Sequence, residues 1–277
     1  MKIAVLSIAK KEIMDSVRSK WIIILSIFFA ILAITSSYFS STGTGWRDFE
    51  YAMRGMILFI QFLIPIIGLA LGYASVKKEV ETGTMNALIS FPVTRIEIII
   101  GKFIGLSTVL ASSVFLGFII SGVIIVLNVQ NANFETYFIF IMESILLGLT
   151  FLSFSMFFSV ITKRRSQAMG ASIFLWLFFL IIWGVIISGL MILTDIDMVL
   201  SANEADWIFS FNMLNPLSAY VALIALNVNF VPSFLTISSS SQYFPDFYNE
   251  PSLIFVLVFW ILLMLVLSCF IFNRQDV

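Results

Sequence analysis

The sequence has 277 residues, of which 60% are hydrophobic and only 11% are charged. Soluble domains carry about a quarter charged residues, so this composition and a mean hydropathy of +1.07 indicate an integral membrane protein. The net charge of −1 provides no basic field for nucleic acid. The absence of histidine excludes serine–histidine–aspartate catalysis and histidine metal sites, and a single cysteine excludes a disulfide framework.

The first segment, residues 2–19, is too polar to span a bilayer but has the pattern of an amphipathic helix. At about 100° per residue its apolar side chains fall on one arc, while Lys11, Glu12 and Arg18 fall on another. Such a helix lies in the membrane interface. A signal peptide is the alternative, but the polar part is too long and too mixed in charge. We therefore predict an N-terminal amphipathic helix in the membrane interface.

Apolar segments of about 20 residues, long enough to cross a bilayer as helices, recur along the rest of the chain. They predict six transmembrane spans in an all-α membrane protein, at residues 21–39, 56–75, 103–127, 137–161, 169–193 and 251–272. In the third span Ser113, Gly117 and Ser121 recur every four residues, and such a stripe allows another helix to approach closely.

The distribution of basic residues predicts the orientation of these spans. With the N-terminus inside, thirteen of the 15 Lys and Arg residues fall in cytoplasmic segments, and only Arg47 and Arg54 fall outside. This bias follows the positive-inside rule and places both termini in the cytoplasm.

A long predicted extracellular loop, residues 194–250, contains six acidic residues and neither Lys nor Arg. Within it, residues 208–226 are uncharged and are interrupted by Asn215 and Pro216. Asn favours the N-cap and Pro the first position of a helix, so a short helix begins at Pro216. We expect a pair of short helices, re-entrant or lying on the membrane surface, rather than a seventh span.

The longest charged interruption between apolar segments is residues 76–102. Residues 84–90 predict a short helix that ends before Pro92, because proline disfavours helical geometry in the residue before it. Thr94 and Glu97 have the spacing of a capping box, so the helix of the third span should begin about two turns before its apolar part. Residues 76–102 should therefore hold a fixed conformation in the cytoplasm, and an ordinary solvated loop is the alternative.

The order and spacing of these motifs resemble the ABC-2 type permeases, which are membrane subunits of ATP-binding-cassette exporters. Because of this resemblance, residues 76–102 are called the coupling loop below. The residues of this loop that match the family pattern are Glu79, Glu81, Gly83, Thr84, Leu88, Pro92, Arg95 and the pair Gly101-Lys102. The N-terminal segment, with Lys11-Glu12 and Arg18, is similar to the elbow helix of the family. Residues 215–220 are similar to its outer re-entrant region. Within the family, the chain most resembles the permeases of transporters that serve nitrous-oxide-reductase maturation.

The resemblance implies one transmembrane domain over residues 1–277, embedded in the lipid bilayer of the cell membrane as a multi-pass protein. It would act as a dimer with a second permease copy, identical or closely related, and with two copies of a cytosolic ATPase subunit. ATP and Mg²⁺ would bind to the ATPase, because this chain has no phosphate-binding Gly-x-x-x-x-Gly-Lys-Ser/Thr motif. No catalytic site, cofactor, metal or nucleic acid is expected on this chain.

The resemblance also assigns roles within the coupling loop. Residues 84–90 would be the coupling helix, seated in a groove of the ATPase with Met85, Leu88 and Ile89 as apolar anchors. Glu79 and Glu81 would pair with basic groups of the ATPase or of the elbow helix.

Four residues are candidates for a substrate pathway: Gln61, Glu143, Asn215 and Pro216. Glu143 lies in the fourth span, and intramembrane acids often mark functional sites, although packing near the interface is the alternative. A secondary transporter or a membrane scaffold is the alternative to an exporter subunit. A secondary transporter should have buried charges near the midplane, and only Glu143 comes near it.

Two further motifs have simpler explanations. Met53 and Met56 have thioethers that suit Cu(I), but no histidine or cysteine joins them. The basic run Lys163-Arg164-Arg165 could contact the ATPase or anionic lipid, while the simpler explanation is that it fixes the topology.

Overall fold

In a computed structural model the chain is a helical bundle over the residues that the structure describes, which are 2–18, 20–40, 49–85, 93–128, 133–193, 206–228 and 245–275. The helices are numbered here in chain order. They are α1 (Lys2–Arg18), α2 (Trp21–Ser40), α3 (Phe49–Gly72), α4 (Lys77–Glu81), α5 (Arg95–Asn128), α6 (Phe134–Ile161), α7 (Arg165–Leu177), a π-helical turn (Phe178–Ile182), α8 (Trp183–Leu193), α9 (Asp206–Met213), α10 (Pro216–Val228) and α11 (Glu250–Arg274).

Within the described residues, five helices are long and apolar enough to cross a membrane. They are Gly55–Glu81, which runs from α3 through α4, Arg95–Val123 of α5, α6, the continuous α7–α8 helix and α11. Two bent pairs also meet this test when each is taken together: α1 with α2, at 67°, and α9 with α10, at 113°. The chain is therefore an all-helical, multi-pass membrane protein with five to seven candidate spans, which confirms the predicted fold class at that level.

Several helices extend beyond the apolar segments that predicted them. Helix α3 begins at Phe49 rather than at residue 56 and ends at Gly72 rather than at residue 75. Helix α6 begins at Phe134, and α7 begins at Arg165, each one turn earlier than predicted. Hydrophobicity marks the part of a helix inside the bilayer, whereas backbone hydrogen bonds continue into the polar ends. At their N-terminal ends α3, α6 and α7 therefore continue past the apolar segments that define the predicted spans.

Side-chain caps fix where three of the long helices begin. The backbone N–H of Thr94 donates to Glu97 Oε2 at 2.8 Å, and the N–H of Glu97 donates to Thr94 Oγ1 at 3.3 Å. This confirms the predicted capping box and the early start of α5. Asn133 caps α6, and Asn249 and Ser252 form a capping box at α11. These caps satisfy N–H groups that have no partner inside the helix.

Small residues on α5 bring α2 into close contact. A Cβ added at Gly117 would lie 2.6 Å from the Cβ of Phe29 and 2.7 Å from the carbonyl oxygen of Ser26, both in α2. Ser113 and Ser121, one turn away on either side, are buried. The predicted stripe of small residues therefore admits α2 at Gly117, whereas Ser121 contacts Tyr137 of α6.

Helix α1 has a protein-facing side that the amphipathic pattern did not predict. Ile8 and Ala9 are buried, with 7% and 3% exposure, whereas Leu6 and Val17 are 64% and 55% exposed. The helix therefore packs one side on α5 and leaves much of its apolar arc uncovered. An uncovered apolar arc is what a helix in the membrane interface presents to lipid.

Helix α10 is buried inside the bundle. Asn215 Oδ1 accepts a hydrogen bond from the N–H of Leu217 at 2.9 Å, and Pro216 is the first helical residue, which confirms the predicted helix start. Tyr220 and Leu223 have no exposed surface. The apolar side chains of α10 therefore pack against other helices of the same chain.

Replacing Gly117 with leucine should force α2 away from α5, because no space exists for a side chain there. We expect the free energy of unfolding to fall by about 1–3 kcal/mol, the usual cost of overpacking. Denaturant titration of the purified protein in detergent micelles measures this. Gly184→Leu is the matched control, since a Cβ there meets nothing within 4 Å. Equal tolerance of the two changes would contradict the packing described here.

Candidate functional site

A buried lysine is the centre of an ion-pair network at one end of the bundle. Lys102 Nζ lies 2.7 Å from Glu12 Oε1 and 2.9 Å from Glu79 Oε1. Lys11 Nζ also contacts Glu79 Oε1, at 2.9 Å. The side chain of Lys102 is only 2% exposed, so its ammonium group depends on the two carboxylates for compensation. These four residues are called the Lys102 network below.

The network joins three parts of the chain that are distant in sequence. Glu12 and Lys11 lie on α1, Glu79 lies on α4 in the coupling loop, and Lys102 lies on α5. Two glycines of α5 allow α1 to approach closely enough for these ion pairs to form. A Cβ at Gly101 would lie 2.9 Å from the Cβ of Ile8, and one at Gly105 would lie 2.7 Å from the Cβ of Glu12. The Gly-Lys pair of the family pattern therefore combines close helix packing with a buried charge.

Lys11 is the solvent-facing member of the network, with a side chain 47% exposed. Partial burial lowers the pKa of Lys11, but the hydrogen bond and negative charge of Glu79 outweigh this effect and leave that pKa above its ordinary value. Glu79 thus binds one ammonium group at the surface and a second one in the interior. This agrees with the expected pairing of Glu79 with the elbow helix.

Glu81, the last residue of α4, attaches that end of the helix to α7. Its Oε1 accepts the backbone N–H of Arg165 at 2.8 Å, and its Oε2 accepts the guanidinium Nε–H of the same residue. These hydrogen bonds, from the backbone N–H first and the guanidinium second, lower the pKa of the Glu81 carboxyl below its ordinary value. At the start of α4, Ser159 Oγ accepts the N–H groups of Val76 and Lys77, both at 3.1 Å. Helix α4 is therefore attached to α6 at its start and to α7 at its end.

Arg95 joins the start of α5 to the end of α11. Its Nη1 donates to the carbonyl oxygen of Phe272 at 3.0 Å and also to that of Gln275. A cation at the C-terminus of a helix is stabilised by the unpaired carbonyl groups there. Arg95 thus holds the last helix at the Lys102 end of the bundle.

The other residues predicted to contact an ATPase have different environments. Gly83 and Thr84 are exposed just after α4, and Gly83 has a φ of 74°, in the left-handed region that glycine adopts without strain. Met85 is only 1% exposed and packs in a small apolar cluster with Ile98 and Phe272 of its own chain. In this conformation Met85 is therefore not accessible to a partner protein. Arg18 is exposed in the last turn of α1. Three predicted contacts lie outside the described residues: Leu88, Ile89 and Pro92.

The predicted pathway residues lie on different helices. Gln61 is half-buried on α3. Glu143, on α6, is buried, and its Oε1 accepts a hydrogen bond from Asn227 Nδ2 of α10 at 2.8 Å. Asn215 Nδ2 donates to the carbonyl oxygen of Phe179 at 2.8 Å, within the π-helical turn. Pro216 follows Asn215 at the start of α10.

Sequence reasoning missed most of the partners that fix these residues. Lys102 was recognised as part of a motif but not as the centre of a network, because a lysine at the edge of an apolar span commonly extends its ammonium group to the membrane interface. Arg165 and Ser159 gave no signal as partners of the coupling loop. Met53 and Met56 were considered as thioether ligands of Cu(I). Both are fully buried in the main apolar cluster, where they fill the core.

The described bundle, with apolar helices joined at one end by polar networks, defines a multi-pass membrane protein of the helical class. Over residues 6–277 the chain matches the family described as ABC-2 family transporter protein, and it belongs to that family. Two curated relatives carry the description "Probable ABC transporter permease protein NosY". The one from Stutzerimonas stutzeri is 30% identical over 196 residues, which cover 68% of this chain and 71% of the relative. The one from Pseudomonas aeruginosa is 28% identical over 221 residues, which cover 77% and 78%.

This membership has two consequences. The chain is the membrane subunit of an ABC transporter, and ATP hydrolysis belongs to a separate subunit, so the permease is not itself an enzyme. The alternative of a secondary transporter or scaffold outside the ABC class is wrong. The family also implies an ABC ATPase partner and a membrane location.

Replacing Lys102 with methionine should leave Glu12 and Glu79 close together without their shared cation. Breaking one partner of a buried ion pair costs about 3–5 kcal/mol, and we expect a loss of that size in the free energy of unfolding. Adding Glu12→Gln and Glu79→Gln to Lys102→Met should recover part of the loss, since the two carboxylate charges that Lys102 compensated are then removed. Denaturant titration in micelles measures both variants against the wild type. If Lys102→Met alone unfolds like the wild type, the network does not stabilise this end of the bundle.

Proposed function

We propose that this chain is the permease of an ABC exporter, moving a substrate out across the cell membrane with energy from a cytosolic ATPase. Two permease copies and two ATPase copies would form the transporter, and ATP with Mg²⁺ would bind to the ATPase subunits. The observation that carries this proposal is the Lys102 network, because it joins the coupling loop to the N-terminal helix and to a long apolar helix.

The orientation of the bundle supports a cytoplasmic position for the network. Thirteen of the 15 basic residues lie in segments that the positive-inside rule assigns to the cytoplasm, and these include Lys11 and Lys102. The basic segment around Arg165 and Gln275, which follows the last residue of α11, lie at this same end, through their contacts with Glu81 and Arg95. The coupling loop would therefore face the compartment that holds the ATPase.

The contacts of α4 suggest how force would pass from the ATPase. Glu79 attaches α4 to α1 and α5 through Lys11 and Lys102, so a displacement of α4 moves both helices with it. Close packing at Gly101 and Gly105 limits sliding between α1 and α5. Elbow helix, α4 and α5 would then move as one rigid body when the ATPase closes on ATP.

The exposed contact with the ATPase would follow α4 directly. Gly83 and Thr84 are exposed there, and Leu88 and Ile89 are the apolar residues of the coupling helix predicted from the sequence. Met85 would support this helix from inside its own chain, through the small apolar cluster, instead of anchoring it in the ATPase. At the opposite end of the bundle, the bent pair α9–α10 would form the outer re-entrant region, with Asn215 and Pro216 at the bend.

The proposal predicts that Leu88→Asp weakens assembly with the cognate ATPase by about tenfold or more, because a charge would replace an apolar anchor. ATP-dependent transport should fall with it. Affinity purification of the complex and the ATPase rate of the eluted complex measure both effects. Leu214→Asp is the matched control, since Leu214 is 50% exposed between α9 and α10 at the other end. Normal assembly and activity in Leu88→Asp would sink the coupling-helix assignment.

A further inference from the structure

A second segment lies beside α4 at the Lys102 end, in the turn between α6 and α7. Arg165, the first residue of α7, gives Glu81 both its backbone N–H and its guanidinium group. Lys163 and Arg164 precede it and are exposed. The Lys163 N–H donates to Gln167 Oε1 at 3.2 Å, which holds the turn in place. The coupling loop and this turn are therefore one joined surface.

The charges of this surface do not balance. Glu81 and Arg165 neutralise each other, which leaves four cations on α4 and the turn: Lys77, Lys78, Lys163 and Arg164. None of the four has an ion-pair partner among the residues that the structure describes. Glu79, the other acid of α4, is turned inward to Lys102. The surface as a whole is basic, so an acidic partner would complement it.

The cations are held by rigid connections to the rest of the bundle. Ser159 fixes the backbone of Lys77 at the start of α4, and Glu81 fixes the end of α4 to Arg165. A surface that is already ordered loses less conformational entropy when a partner binds. A segment needed only to set membrane topology would require its positive charges but not this attachment to the coupling loop.

We infer that Lys163 and Arg164, together with Lys77 and Lys78, form a second, basic part of the ATPase docking surface, which meets an acidic patch on the ATPase. This inference rests on the proposed function. The apolar contact after α4 would supply most of the affinity, and the basic part would speed association and fix the orientation of the ATPase. Because Glu81 joins the two parts, the ATPase would engage α4 and the start of α7 together.

The test measures binding of the cognate ATPase to full-length permease in nanodiscs of zwitterionic lipid alone, at low and at high salt. We expect the double variant Lys163→Glu and Arg164→Glu to bind about tenfold or more weakly at low salt. The difference should shrink at high salt, because salt screens exposed charges. The matched control is Lys10→Glu with Arg274→Glu, which reverses two exposed charges elsewhere on the permease and should bind like the wild type.

Each other outcome contradicts the inference in a recognisable way. Wild-type affinity in the Lys163 and Arg164 variant overturns it, as does an equal loss in the control, which would indicate a general charge effect. A defect seen only in nanodiscs with anionic lipid assigns these cations to lipid head groups instead. If Leu88→Asp abolishes binding while the charge reversal does not, the proposed function stands and only this inference fails. No binding by the wild type overturns both.

Discussion

The burial of one lysine constrains much of this structure. An ammonium group removed from water needs close carboxylates, and Lys102 has two, one on α1 and one on α4. Separating either helix from α5 would leave charge without compensation in an apolar surrounding. The N-terminal helix and the coupling loop therefore cannot move independently of α5. In a membrane subunit that is driven by a separate ATPase, this is the property that a transmission element requires.

Apolar packing reinforces the same junction. A small cluster of buried side chains surrounds the network and includes residues of α1, the turn after α3, α5, α6 and α11. Met85 belongs to this cluster. Arg95 attaches the end of α11 to the junction by donating hydrogen bonds to carbonyl groups of that helix end. The ion pairs give the junction its specific geometry, and the cluster excludes water from it. Since several helices share the junction, force applied to α4 would spread across the bundle.

The opposite end of the bundle is organised by a different kind of contact. There the side chain of Asn215 makes two hydrogen bonds. Its oxygen accepts from the backbone N–H of Leu217 in α10, and its nitrogen donates to the carbonyl oxygen of Phe179 in the π-helical turn. A π-helical turn leaves the regular hydrogen-bond pattern of an α-helix, and such turns are frequent at functional sites. The bend between α9 and α10 is thereby fixed to the long helix formed by α7 and α8. The two ends thus differ: charge pairs join helices at one, and backbone-directed amide contacts join them at the other.

The sequence by itself determined the helical class, the approximate position of the apolar helices, the start of α5 at Thr94 and the start of α10 at Pro216. These features depend on interactions within about four residues or on the apolar character of single segments, both of which can be read along the chain. Only the tertiary structure decided that Glu79 pairs with Lys102, that Arg95 holds the end of α11, that Met85 faces inward and that α10 is buried. The partners in such contacts are 68 residues apart for Lys11 and Glu79 and 177 apart for Arg95 and Phe272. Their pairing follows from how the helices pack, and helix packing depends on shape and small residues across the whole bundle rather than on any local pattern.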